Sequence, residues 1–430
     1  MFSQEKPIKP SLMPEELTMK FFAHACMEFK FGDHRIFTDP WLEGPAFMGG
    51  WWLSQLPPKN WLECLGNADH VYISHNHSDH LHLQTLEKVY AHYPDLCFLV
   101  PNFETKSVEI PLRQIGFKNL KVLDFGKEYK INDDTSVMML IDGAGRDDSG
   151  IIFKYKGYSI LNAVDCANPN NLDFPPHLDC YLSSFAGGAS GYPVCWQDLY
   201  SDTEIESLVE RNLAEDVNSK RRNLQKAQPK MYVPFAGYFS EEAPIDARIK
   251  RINKKNSPQA FTTALAKTLP DLKFWLPKSG YIYDLGQGRE IIPKKIERTK
   301  NNIAEYFAKL EATPILSDAE IESYLQNLDY HGDLILEIVE TNIDFSQTYR
   351  RTLFDFSKGM AIETRPERKH QYSRIKVRQK VFNHVVAHNL PWEDFSIGFQ
   401  ASFYREPDVY EFDFWSHVQN MLPGPKHPSP

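Results

Sequence analysis

The stretch Val71–His82, VYISHNHSDHLH, decides the reading of this chain: it sets His75, His77, Asp79 and His80 within six residues of one another, directly after the apolar run Val71–Ile73. His75 and His77 are two apart, so an extended or sharply turning backbone points both at one ion. Asp79 and His80 lie past the turn, and a helix beginning near Leu83 directs them toward a second ion about 3.5 to 4 Å away. Neutral imidazole and carboxylate suit iron, zinc or manganese, whereas a thiolate-rich set would argue for structural zinc or an iron–sulfur cluster. The bland alternative is a polar surface loop with scattered histidines, and four ligand-type side chains in so short a run weigh against it.

Around this run the chain reads as two domains, because 430 residues exceed what one hydrophobic core normally organises. The expected units are 16–300 and an aromatic-rich 313–423, separated at Ala312, Thr313, Pro314 just before Ser317, an N-cap with Glu320 three residues on. A 42% apolar and 24% charged composition is that of a globular protein, and a formal charge of -9 gives no general reason to bind nucleic acid. No apolar run is long enough to span a membrane, and the first residues lack the core of a secretion signal, so a cytoplasmic location is the default expectation. Cys26, Cys64, Cys97, Cys166, Cys180 and Cys195 form no CxxC and read as reduced thiols. They also lack the paired Cys/His spacings of a Rieske centre, so electrons for any redox chemistry are expected from elsewhere.

Strands are expected at Met19–Glu28 and His34–Thr38, with a hairpin turn at Phe31, Gly32, Asp33, and then at Cys97–Pro101, Lys121–Phe125, Ser136–Ile141, Ile151–Tyr155 and Tyr158–Asn162. Helices are expected at Trp61–Leu65, Leu83–His92 and Ile205–Gln228, and Trp51 and Trp52 read as an exposed pair in a glycine-rich loop. Three segments join the histidine run as site candidates. Asp165 follows an apolar strand and can bridge two ions; Asp147 or Asp148, in the loop Asp142–Asp148, can add oxygen ligation or simply form a solvated turn. His24, in FFAHACMEF, can orient a ligand or substrate or serve as a buried structural histidine. The runs Phe185–Pro193 and Pro234–Phe239 read as loops turning past a substrate, and Lys220, Arg221, Arg222, Lys230, Arg248 and Lys250 are available to an anionic one, although a solvated helix face explains the first three equally well.

The HxHxDH run, with Thr38, Asp39, Pro40 before it and Asp165 after it, resembles the metallo-beta-lactamase superfamily. That resemblance implies an α+β, four-layered αββα sandwich with one or two metals at a shared sheet edge, followed here by a smaller C-terminal α+β domain. More narrowly, DPWLEGPAFMGGWW (39–52), ILNAVDCANPN (160–170), FAGGASGYP (185–193), VPFAGYF (233–239) and LPWEDFSIGFQASFYREPDVYEFDFW (390–415) resemble the CMP-N-acetylneuraminate hydroxylase family. Two departures accompany the match. Gly145 stands where the superfamily places a third histidine for the first metal, and Pro234–Phe239 lacks the histidine that usually completes the second. The family's fused Rieske domain also has no counterpart in these residues, so a separate ferredoxin or Rieske protein is the expected electron donor.

Two chemistries fit such a site, and a non-catalytic relative is the third reading. In an oxygenase, one or two iron ions activate O2 on a polar small molecule, with anionic or nucleotide-sugar-like compounds among the candidates. In a hydrolase, zinc or manganese generates hydroxide, with Asp79 orienting it. Beyond the first domain, helices at Asp318–Gln326 and Gln379–His388 alternate with strands at Leu334–Glu340, Thr348–Phe356 and Gln371–Val377. The tail's aromatic residues, Trp392 to Trp415, are expected to pack on the first domain or on a second copy in a homodimer, while His384, His388 and His417 read as structural.

Overall fold

Phe29 and Phe31, two apart on one strand, point to the same side and meet Phe153 and Tyr155 of a second sheet, with ring centroids 4.8 to 5.8 Å apart. Each fully buried ring contributes roughly 2 to 3 kcal/mol of burial free energy, and this aromatic layer joins the two sheets. The computed structural model describes residues 9–242 and 246–419. One sheet has eight strands, in the order Arg289–Ile291, Ile282–Asp284, Leu17–Ala23, Cys26–Phe31, His34–Thr38, His70–Tyr72, Phe98–Pro101, Leu120–Leu123. The facing sheet has seven, in the order Lys273–Phe274, Met231–Pro234, Cys180–Ser183, Tyr158–Val164, Ser149–Tyr155, Thr135–Ile141, Glu128–Lys130.

Helices flank the sheets. Leu83–His92 buries Leu86 and Val89, and the 26-residue helix Asp202–Ala227 buries Ile205, Val209 and Leu224. The result is the αββα sandwich expected from the sequence. Ser201 and Ser317 both head their helices with reciprocal capping boxes, to Glu204 and Glu320.

Three local expectations are corrected. Met19–Glu28 is not one strand: it breaks at His24, whose φ is +40°, into Leu17–Ala23 and Cys26–Phe31, which pair antiparallel. No glycine or proline marks that turn, because tertiary contacts of His24 hold it. Trp51 and Trp52 are buried, not exposed: Trp51 stacks on Phe239 at 3.6 Å, and the Trp52 indole N–H donates to the Gly49 carbonyl. The run Phe185–Pro193, whose glycines and small residues read as too flexible to be core, contributes to the core through Phe185, which packs on Tyr238 and Phe261.

The C-terminal residues form a separate five-stranded sheet in the order Met360–Ile362, Thr348–Asp355, Leu334–Thr341, Gln371–Arg378, Ala401–Glu406. Its central strand, LILEIVET, is buried along its whole length. This unit packs on the first. Phe403 stacks on Trp196 at 5.4 Å, and the Gln400 side-chain amide donates to the Met48 carbonyl at 3.0 Å. Gly50 and Gly398 meet backbone to backbone: a Cβ on Gly50 would stand 2.1 Å from the Gly398 carbonyl oxygen. Among the described residues no helix is long and apolar enough to cross a membrane.

Candidate metal centre

The parallel strands His70–Tyr72 and Tyr158–Val164 belong to different sheets and end at the same edge, so the loops leaving their carboxyl ends converge. The first loop carries the histidine run and the second carries Asp165. Between them lies the turn that enters the strand Ser149–Tyr155, which carries Asp148. Tyr72 ties the sheets together here, its hydroxyl 2.8 Å from Ser149 Oγ, and Ser149 in turn donates to the Ser74 carbonyl at 2.6 Å.

Asp79 and His80 sit on a tight turn, with the amides of His80 and Leu81 both donating to the His77 carbonyl. The helix starts only at Leu83, capped by His82, whose Nδ1 accepts from the Thr85 amide. His82 is therefore a structural cap. Its run-mates form two adjoining clusters in which every ligand atom lies within 4.8 Å of the others: His75, His77, Asp148 and His75, His80, Asp165. A third cluster of the same kind joins His24, Asp79 and His80.

Asp39 orients much of this. Its carboxylate accepts the Ser74 amide at 2.7 Å, the Ser74 hydroxyl at 2.8 Å and His80 Nδ1 at 3.0 Å. Because the one Ser74 hydroxyl proton goes to Asp39, Ser74 Oγ accepts from His75 Nδ1, 2.9 Å away. Both His75 and His80 thus turn an Nε2 lone pair inward. His77 Nε2 faces the Glu393 carboxylate at 3.1 Å and donates to it, which leaves its Nδ1 facing His75 Nε2 at 2.8 Å.

Two nitrogens in that arrangement repel unless a cation or a proton lies between them, which is one measure that the residues fit a metal. The others are buried polar atoms without a hydrogen-bond partner: His80 Nε2, Asp79 Oδ1 and Asp165 Oδ1. Asp79 Oδ2 lies 3.2 Å and Asp165 Oδ2 3.4 Å from His80 Nε2. The donors are imidazoles and carboxylates without a thiolate, a set suited to a pair of iron ions.

The electrostatics follow from burial against opposite charge. Burial pushes the His75 imidazole well below its ordinary range, and its neighbours His80 and His77 push the same way. For His77 burial also lowers the value, but the Glu393 carboxylate outweighs it and lifts the group to about 9. Burial is again the largest single influence on His80, yet Asp79, Asp165 and Asp39 together raise it well above the usual histidine range. Burial raises the Asp148 carboxyl.

The candidates named from the sequence separate cleanly. His75, His77, Asp79, His80, Asp165 and Asp148 come together, and His24 joins them, with Nε2 2.9 Å from Asp79 Oδ2. Asp147 does not: it faces outward and accepts from Ser107 at 2.9 Å and from Thr105. The His24 carbonyl accepts the Ala236 amide at 3.0 Å, which places this residue against the Pro234–Phe239 loop.

Most of the basic candidates are engaged elsewhere. Lys230 pairs with Asp179, Arg248 with Asp202, Lys250 with Glu242 and Arg222 with Glu215, while Lys220 is buried. His384 and His388 stack on each other at 4.1 Å and His417 bonds its own helix, all outside these clusters. Asp39, Ser74 and Glu393 were absent from the sequence-derived set. Asp39-Pro40 at a strand end was a usable signal; Glu393, 316 residues from His77, offered none.

Residues 18–168 match the family model described as Beta-lactamase superfamily domain. The cytidine monophosphate-N-acetylneuraminic acid hydroxylase of Danio rerio is 36% identical over 437 residues, covering 96% of this chain and 73% of that protein. The protein of the same description from Gorilla gorilla gorilla is 37% identical, covering 95% and 72%. A Homo sapiens relative described as inactive is also 37% identical, covering 95% and 87%. Similarity of this depth along nearly the whole chain, with the imidazole and carboxylate clusters in place, shows that the chain belongs to the cytidine monophosphate-N-acetylneuraminic acid hydroxylase family, on a beta-lactamase superfamily fold.

Proposed function

We propose that this protein hydroxylates an anionic nucleotide sugar of the CMP-N-acetylneuraminic acid type at a two-iron centre, with electrons from a redox protein of ferredoxin or Rieske type. The observation that carries this is similarity to the hydroxylases over 95 to 96% of the chain, reaching beyond the superfamily domain into the C-terminal unit that touches the site. His75, His77 and Asp148 would hold one ion, and Asp79, His80 and Asp165 the other, with His24 as the further donor beside Asp79. Iron bound there supplies the redox-active, Lewis-acidic centre on which dioxygen is activated.

The protein's own groups do the rest. Asp39, through Ser74 and directly, keeps the His75 and His80 lone pairs turned inward. Trp41 and Trp51 pack around His24, with centroids 5.1 and 6.3 Å from it, and keep bulk water off that side. Arg146, exposed at the rim with Nε 3.4 Å from Asp142 Oδ2 and 3.7 Å from Asp148 Oδ2, offers its outer N–H groups to a phosphate or carboxylate.

The test is anaerobic purification with elemental analysis, then incubation with CMP-N-acetylneuraminic acid, O2 and a reduced ferredoxin. Two irons per chain and one hydroxyl added per O2 consumed is the expected result. Zinc or manganese alone, with O2-independent hydrolysis of the nucleotide sugar, would overturn it in favour of a hydrolase.

A further inference from the structure

The three imidazoles that the histidine run brings into the clusters are not held in the same way. His75 and His80 are oriented from inside the first unit, both by way of Asp39. The outer nitrogen of His77 reaches across to the second unit, where Glu393 Oε2 accepts its proton at 3.1 Å. Glu393 opens the short helix Glu393–Ile397, and its other oxygen accepts from Gln419 Nε2 at 3.0 Å. Both of its carboxylate oxygens are therefore committed, and the side chain is only 21% exposed.

The helix itself is fixed against the loop in front of the site. The Gly50–Gly398 contact leaves no space for a side chain on either glycine, because a Cβ on Gly398 would stand 2.0 Å from the Phe47 carbonyl oxygen. Gln400 ties the strand entry to Met48, and Phe47 N donates to Ser78 within the histidine run. Trp392, wholly buried, anchors the start of the helix through its indole N–H on the Tyr324 hydroxyl at 2.8 Å. A carboxylate delivered this rigidly to the far nitrogen of a ligand histidine sets its tautomer and ring orientation and raises its basicity.

We infer that Glu393 is a positioning residue of the metal centre: the C-terminal unit sets His77 for coordination through Nδ1, so the centre is built by both units together. This rests on the reading that His75, His77 and Asp148 hold an ion.

The experiment uses the whole chain, with His77→Ala, Glu393→Ala and Glu393→Gln compared with the unaltered protein. Each is titrated with cobalt(II) against a competing chelator, its visible ligand-field bands are recorded, and the metal-free protein is melted to check the fold. Glu393→Ala is expected to weaken cobalt binding about 10- to 100-fold. Glu393→Gln, whose amide oxygen still accepts the His77 proton but carries no charge, is expected to fold normally, bind with intermediate affinity and show shifted bands. If His77→Ala weakens binding but both Glu393 variants keep the affinity and bands of the unaltered protein, the inference is overturned and the reading of the site stands. If His77→Ala itself changes nothing, the underlying reading falls, and the inference with it. Should Glu393→Ala fail to fold, Glu393→Gln decides by the same criteria.

Discussion

Replacing Gly50 by alanine tests how tightly the two units are joined at the metal centre. Gly50 has φ -71°, an ordinary right-handed conformation, so alanine brings no backbone strain and the effect is purely one of space. The added methyl would stand 2.1 Å from the Gly398 carbonyl oxygen and 2.5 Å from its Cα, whereas ordinary van der Waals contact begins at 3.4 Å. Backbone faces backbone, so no rotamer can yield, and the loop and the Glu393–Ile397 helix must part by more than 1 Å. Overpacking of this kind costs about 1 to 3 kcal/mol. A parting of that size also stretches the 3.1 Å hydrogen bond from His77 to Glu393 beyond useful length. Calorimetry of metal-free Gly50→Ala should show a lower unfolding midpoint, and chelator competition should show metal affinity falling toward that of Glu393→Ala. A variant that melts and binds metal like the unaltered protein would refute the close approach and the coupling argued from it.

Other outcomes follow from the same geometry. Asp148→Ala should lower metal content from two ions toward one by elemental analysis, while Asp147→Ala, at a residue engaged by Thr105 and Ser107, should leave it unchanged. Chelation should lower the unfolding midpoint and metal should restore it, since a ligand at 100 times its Kd stabilises the fold by about 2.7 kcal/mol. Far from the centre, burial, Lys121 and His34 together hold His70 at about 4 against an ordinary 6.5. The unfolded chain therefore binds the proton first, and stability falls as pH drops from 6.5 toward 4, by roughly 3 kcal/mol. His70→Gln should flatten denaturant-measured stability over that window; an unchanged slope would contradict the assignment.

What the sequence made legible was local. His75, His77, Asp79 and His80 announce a site because their spacing is fixed by a single turn, and Asp165 because an apolar strand precedes it. The choice between Asp147 and Asp148 was not legible. It depends on which residue first enters the sheet: the Asp142 amide pairs with the Asp148 carbonyl, so Asp148 points inward and its neighbour outward. The break at His24 was hidden because a histidine with positive φ carries no turn signature, and its imidazole is held by Asp79 and Trp41, distant in sequence. Trp51 and Trp52 read as exposed because the strand pair formed by Trp52–Leu53 and Phe239–Ser240, which buries them, joins residues far apart in the chain.

Asp39 gives the centre a property that no ligand has by itself. One wholly buried carboxylate braces an imidazole from each half of the pair, His75 by way of Ser74 and His80 directly. An ion that immobilises either imidazole therefore immobilises the common brace, and the second ion meets a donor already in place. Loading should be cooperative, with chains carrying a single ion scarce during titration. Asp39→Asn, which loosens the brace without touching a donor, should turn that joint filling into two separate steps.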